Sequence, residues 1–89
     1  MIRRRVVVHG LVQGVFFRDT CRREARAAGV AGWVRNRSDG AVEAVFEGPD
    51  EAVHRMVDWC RTGPRYAEVD RIDVEDEQPT GEIGFVVTA

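Results

Sequence analysis

The chain has no lysine; all thirteen of its basic residues are arginine. That excludes a Schiff-base lysine and the lysine of a phosphate-binding P-loop. Serine occurs once, as Ser38, within a turn-forming stretch, so a Ser-His-Asp triad has little to build on. Cys21 and Cys60 are the only cysteines. Neither opens the Cys-x5-Arg loop of thiol phosphatases, because Ala27 and Tyr66 stand where the arginine would be. His9 and His54 are isolated, and no Cys/His cluster has metal-ligand spacing, so neither a metal nor a cofactor is expected. No apolar run approaches the roughly 20 residues of a membrane span. Near the start only Val6, Val7 and Val8 stand together before His9, too short a run for a signal-peptide core. No membrane partner is expected. The cytoplasm is the expected location, with both thiols free.

What is present suits one folded domain over residues 1–89, since two domains would each fall below the size of a self-sufficient core. Hydrophobic residues make up 44% and charged residues 31%, a balance too apolar for general disorder. The net charge of -2 conceals an asymmetry: residues 1–37 carry +7 and residues 38–89 carry -9. A basic first half suits an anionic ligand. It equally suits two halves that neutralise each other in the fold.

Arg3 to Val12 alternates and is rich in valine, which predicts a strand with Val6 and Val8 on one face. Val12 to Phe16 is a short loop between Gly10 and the next element. Phe17 to Ala28 reads as a helix, with Phe17, Cys21, Ala25 and Ala28 on one stripe and Gly29 placed to end it. Two strands follow, Val30 to Arg37 and Ala41 to Glu47, joined by a Ser38-Asp39-Gly40 hairpin. A second helix opens at Gly48-Pro49-Asp50-Glu51, with Pro49 as its first residue, and stops at Gly63-Pro64. Tyr66 to Glu75 predicts a strand, Asp76 to Gly81 a polar loop, and Ile83 to Val87 a short terminal strand. The order β-α-β-β-α-β plus a terminal strand predicts an α+β, ferredoxin-like split βαβ fold, with two helices on one face of an antiparallel sheet. That fold hosts many functions and selects none.

The chemistry gathers at Gly10-Leu11-Val12-Gln13-Gly14-Val15-Phe16-Phe17-Arg18. A glycine-bearing loop entering a helix can aim successive amides at one point, where the helix dipole adds positive potential. Arg18 at the helix start can fork onto two oxygens of the same anion. A tetrahedral dianion such as phosphate fits. The plainer alternative is a turn whose glycines only permit its shape, beside a solvated arginine. Asn36 ends the second strand, where asparagine is disfavoured. Its carboxamide either caps the hairpin turn or holds a water, accepting one proton and leaving a lone pair free.

The Gly10–Arg18 segment, followed by Gly32-Trp33-Val34-Arg35-Asn36-Arg37-Ser38-Asp39-Gly40-Ala41-Val42-Glu43, closely resembles the acylphosphatase family. Ala27 to Gly32, Phe46-Glu47-Gly48 and Phe85 fit the same pattern, so the resemblance spans the chain. Val30 stands where leucine is more usual, and the chain ends Thr88-Ala89 where many relatives end in an aromatic residue. The resemblance implies hydrolysis of acyl phosphates by a monomer, with inorganic phosphate as product and inhibitor. It implies that Arg18 binds phosphate and Asn36 positions water. The amides of Gln13, Gly14, Val15, Phe16, Phe17 and Arg18 would form the phosphate cradle.

The residue types absent from the chain suit that reaction. An acyl phosphate releases a carboxylate of pKa about 4, which needs no general acid. A loose transition state needs little push from a base, so positioning and charge stabilisation suffice. His9, Asp19 and the run Arg3-Arg4-Arg5 have structural readings: a residue near the loop rim, a helix-start acid and a solvated strand start. Trp33 and Phe16 are expected in the core or at the rim. A nucleic-acid-binding module of the same fold would want exposed aromatics beside basic strands, and the pI near 5.6 opposes it. A regulatory domain of a larger protein is the third possibility, and a chain of this length is expected to stand alone.

Overall fold

A computed structural model describes all 89 residues. Strands β1 (Ile2–Leu11), β2 (Ala31–Asn36), β3 (Val42–Gly48), β4 (Glu68–Glu77) and β5 (Phe85–Val87) form one sheet in the order β4-β1-β3-β2-β5. Helices α1 (Phe17–Ala28) and α2 (Asp50–Cys60) follow β1 and β3. β1, β2, β3 and β4 pair antiparallel, whereas β5 joins the outer edge of β2 in parallel. The sheet is therefore mixed, one parallel strand added to the antiparallel arrangement expected.

Both helices pack on one face. Val6 and Val8 of β1, Val34 of β2 and Val42, Ala44 and Phe46 of β3 meet Phe17, Cys21 and Ala25 of α1 and Val53, Met56 and Cys60 of α2 in one buried cluster. Phe46 stacks on Phe85 at 5.7 Å between ring centroids, which anchors β5 to the core. Gly29 closes α1 in the left-handed conformation expected of it. At Gly10 the register between β1 and β4 shifts; the residue has φ 130, and a Cβ there would lie 2.2 Å from the Glu68 carbonyl oxygen. Only glycine permits that bulge, which redirects the chain into the loop that follows.

Several element boundaries differ from expectation, and so does one charged run. Pro49 is the N-cap of α2, so the helix begins at Asp50, one residue later than expected. β4 runs from Glu68 to Glu77, so the polar loop begins at Gln78. β5 begins at Phe85, leaving Ile83 94% exposed and outside it. The Arg3-Arg4-Arg5 run is not a solvated strand start, because Arg3 is buried.

The other sheet face explains that burial. Glu43, Val45 and Glu47 of β3 point away from the helices yet are buried. Arg3 lies opposite both Glu47 and Glu77 in the ladder, and its guanidinium reaches Glu47 at 3.2 Å, Glu77 at 2.8 Å and Glu82 at 3.3 Å. Arg5 bonds Glu77 at 2.6 Å and also bonds Glu43, which pairs with Arg35 at 2.7 Å. Arg5 and Arg35 both lie over the ring of Trp33. The basic first half of the chain thus neutralises much of the acidic second half through cross-strand pairs. No helix is long and apolar enough to cross a membrane.

Glu47 is the centre of this face. Its carboxylate accepts the amides of Thr80 at 2.8 Å, Gly81 at 2.8 Å and Glu82 at 2.9 Å, pinning the loop before β5. The Thr80 amide above all, with those of Glu82 and Gly81 and the Arg3 guanidinium, holds Glu47 below the usual carboxylate range despite its burial. Arg3 first and Arg5 second hold Glu77 down likewise. Carboxyls depressed in the fold stabilise it above their unfolded pKa and lose that contribution as pH falls through the folded one. Thermal melts should therefore show stability falling below about pH 4. Glu47→Gln should cost about 2 kcal/mol at pH 7, and the gap to wild type should close as acid protonates Glu47. A gap that stays constant from pH 7 to pH 3 would show that the charge of Glu47 does not hold the loop.

Candidate functional site

The loop after β1 is held from one side by a side chain. Gln13 Nε2 donates to the carbonyl oxygens of Arg37 at 2.8 Å and Ala41 at 2.9 Å, tying the loop to the β2–β3 hairpin. Beyond it the backbone turns left-handed twice, at Gly14 (φ 76) and at Phe16 (φ 65, ψ 22). Phe16 is the only non-glycine residue with positive φ, a conformation that costs about 1–3 kcal/mol and persists only where surroundings enforce it. Phe17 supplies the enforcement on the other side. It is buried, with its ring 5.1 Å from that of Trp59 on α2.

The result is a helix start without a cap. Phe16 occupies the N-cap and offers no side-chain acceptor. None of the amides from Gln13 to Asp19 donates to another protein group; the first that does is Thr20, to the Phe16 carbonyl at 3.1 Å. Left-handed residues in such a loop can turn successive amides toward one concavity, where the helix dipole adds positive potential.

An open cleft of about 470 Å³ lies at this point. Gly14, Phe16, Arg18, Asn36 and Val87 line it, with Asp19 beside Arg18 in the first turn of α1 and Arg22 one turn further on. Arg18 is exposed and makes no ion pair or side-chain hydrogen bond, unlike the arginines of the opposite sheet face. Asn36 enters from the end of β2, and its Oδ1 is buried without a hydrogen-bond partner. The side chain of Asn36 makes no hydrogen bond to the hairpin. That turn is closed instead by Asp39 Oδ1, which accepts the Ala41 amide at 3.1 Å, and by the Gly40 amide donating to the Arg37 carbonyl. The capping role weighed for Asn36 belongs to Asp39 and Gln13.

Of the residues singled out in the sequence, the cleft brings together Gly14, Phe16, Phe17, Arg18 and Asn36. Gln13 and Val15 contribute no lining side chain: Gln13 faces the hairpin, and Val15 packs against the core. His9 lies away from the cleft, 2.9 Å from Asp73 across the β1–β4 ladder. Trp33 lies on the helix-free face between Arg5 and Arg35. Burial pushes both thiols up, well beyond any nucleophilic range. Val87 and Arg22 were missed. Val87 depends on the parallel docking of β5, which no local pattern announces. Arg22 carried one signal, its place one turn after Arg18 on the same helix.

A family model for acylphosphatase matches residues 4–87. An acylphosphatase of Roseiflexus sp. (strain RS-1) is 56% identical over 82 residues, covering 92% of this chain and 88% of that one. One of Gloeobacter violaceus is 55% identical over 86 residues, covering 97% and 92%. In three dimensions the chain is similar to the crystal structure of acylphosphatase from Bacillus subtilis, with a TM-score of 0.95, 37% identity and 100% coverage of both chains.

The double bond from Gln13 to the hairpin invites a direct test. Gln13→Ala should destabilise the protein by about 1–2 kcal/mol. Gln13→Glu should do more harm, because it replaces the donor with a carboxylate facing two carbonyl oxygens. Denaturant melts that rank the two variants the other way would show that Gln13 does not donate to the hairpin.

Proposed function

The chain belongs to the acylphosphatase family, hydrolases of acid anhydrides, and we propose that it cleaves the carboxyl–phosphate bond of acyl phosphates using Arg18, the Gln13–Arg18 amides and a water positioned by Asn36. One observation carries this mechanism. A single cleft combines amides without protein partners, an unpaired guanidinium and an orphan carboxamide oxygen.

Each part meets one demand of the reaction. The phosphoryl oxygens take the hydrogen bonds that the loop and first helical turn leave open. Arg18 forks onto two of those oxygens and neutralises charge that shifts as the bond breaks. The departing carboxylate is a weak base, so no acid need stand behind it. Water attacks from the Asn36 side. It donates one proton to Oδ1, an acceptor that otherwise remains buried and unmatched, and keeps a lone pair for phosphorus. Its remaining proton passes to a phosphoryl oxygen. No metal enters these steps, and no three His, Cys, Asp or Glu side chains are placed so that they could hold one. One chain supplies every group, so a monomer suffices.

Arg18→Ala and Arg18→Lys should both lose nearly all turnover of benzoyl phosphate while melting like wild type. Lysine keeps the charge but not the fork. Wild-type-like turnover by the lysine variant would sink the role assigned to Arg18.

Asn36→Ala should lower kcat by about 10²–10³, as the loss of single oriented donors or acceptors does elsewhere, with little change in affinity for phosphate. Asn36→Asp should also weaken phosphate binding, because it sets a negative charge beside a dianion. Inorganic phosphate should inhibit competitively, and EDTA should change nothing. If Asn36→Ala weakens phosphate binding yet turns over normally at saturation, Asn36 binds substrate and does not place water.

A further inference from the structure

Buried side-chain oxygens and nitrogens almost always find a partner. Here two do not, Arg22 Nε and Asn36 Oδ1, and both belong to residues lining the same cleft. They are chemically complementary. Nε carries a single N–H and can only donate, while Oδ1 has two lone pairs and can only accept.

The rest of Arg22 is already fixed. It follows Arg18 by one helical turn, which places both on the same side of α1. Its Nη2 donates to Asp19 Oδ1 at 2.7 Å, so Asp19 grips the tip of the guanidinium and leaves the Nε–H uncommitted. Arg22 is thus a tethered cation whose one buried donor is unused, in a cleft whose one buried acceptor is unused.

Building on the water-positioning role proposed for Asn36, we infer that Arg22 is the positioning residue for that carboxamide. Its Nε–H donates to one lone pair of Asn36 Oδ1 when substrate is bound, and the second lone pair takes the proton of the attacking water. The two atoms are not bonded in this structure, and hydrogen bonds of a catalytic site commonly tighten only in the substrate complex. The contact also selects the orientation of the amide. Turned the other way, the Asn36 NH2 would meet Nε–H donor to donor, and the water would lose its acceptor. Arg22 touches neither phosphate nor water. Asp19 acts one step further back, by holding Arg22.

The test is a double-mutant cycle on benzoyl phosphate hydrolysis, with the inhibition constant of inorganic phosphate and a thermal melt for each variant. Arg22→Ala should lower kcat about 10- to 100-fold, the scale of a misplaced reacting group, and leave phosphate inhibition within about twofold of wild type. Arg22→Lys keeps a cation for Asp19 but has no donor at the Nε position, so it should be as slow as the alanine variant. In an Asn36→Ala background, Arg22→Ala should slow the reaction no further. Rescue by lysine would mean that charge alone matters, and a multiplicative double variant would mean that the two residues act independently. A phosphate affinity that falls along with kcat would make Arg22 a phosphate ligand. Each of these overturns the inference while leaving the role of Asn36 intact. If Asn36→Ala, still folded, keeps wild-type kcat, the water-positioning mechanism itself fails, whatever Arg22 does.

Discussion

A helix must satisfy or expose the amides of its first turn, and α1 leaves its own open. Most helices end this problem with a serine, threonine or aspartate cap. Here the N-cap is Phe16, held left-handed, with no acceptor to offer. The arrangement is locally unfavourable twice over, in backbone strain and in unpaired donors. It survives because both flanks are anchored. Gln13 fastens the loop to the hairpin, and Phe17 is locked in the core against Trp59. An anion at this point would relieve the second cost, so the site is an instability of the fold kept where a ligand can remove it.

The same anchoring joins the two halves of the site. Arg18 belongs to α1 and Asn36 to β2, and the sequence between them runs through a whole helix. Gln13 shortens that path, because its acceptors belong to the hairpin that Asn36 leads into. The loop and the strand end are thereby held in one frame, as a reaction governed by positioning requires. The opposite sheet face takes no part. It uses arginines in closed pairs with glutamates, whereas the cleft keeps Arg18 unpaired. One residue type thus serves stability on one side of the molecule and, in the proposed mechanism, chemistry on another, distinguished by whether an acid stands opposite.

That distinction marks the limit of what the sequence made legible. The α1 span, the left-handed Gly29 and the inward face of β1 could be read locally, because periodicity and capping are local. Arg18 and Asn36 were legible through the motif they belong to. Arg3 was not, since its burial depends on Glu47, Glu77 and Glu82, more than forty residues away in sequence. Three arginines in a row look solvated until the ladder sets acids beside them. β5 was placed too early because Ile83 continues its apolar pattern, although Glu47 holds residues 80–82 as a loop and Gly84 still turns left-handed. Its parallel docking, which brings Val87 to the cleft, is a tertiary event with no periodic signature.

The openness of the cleft fits the reaction proposed for it. Enzymes that must protonate a poor leaving group or sharpen a weak nucleophile bury their acids and bases to tune them. A carboxylate leaving group removes that need, so nothing at the site requires a deep pocket or a perturbed pKa. What the chemistry does require is geometry: amides that converge, a guanidinium that forks and an acceptor that faces the water. All of these address the phosphoryl group and its attacker. Beyond them the mouth offers the exposed ring of Phe16 and the side chain of Val87, apolar surfaces without a donor or acceptor to read an acyl group. Under the proposed mechanism, a site built this way would discriminate by the bond it breaks.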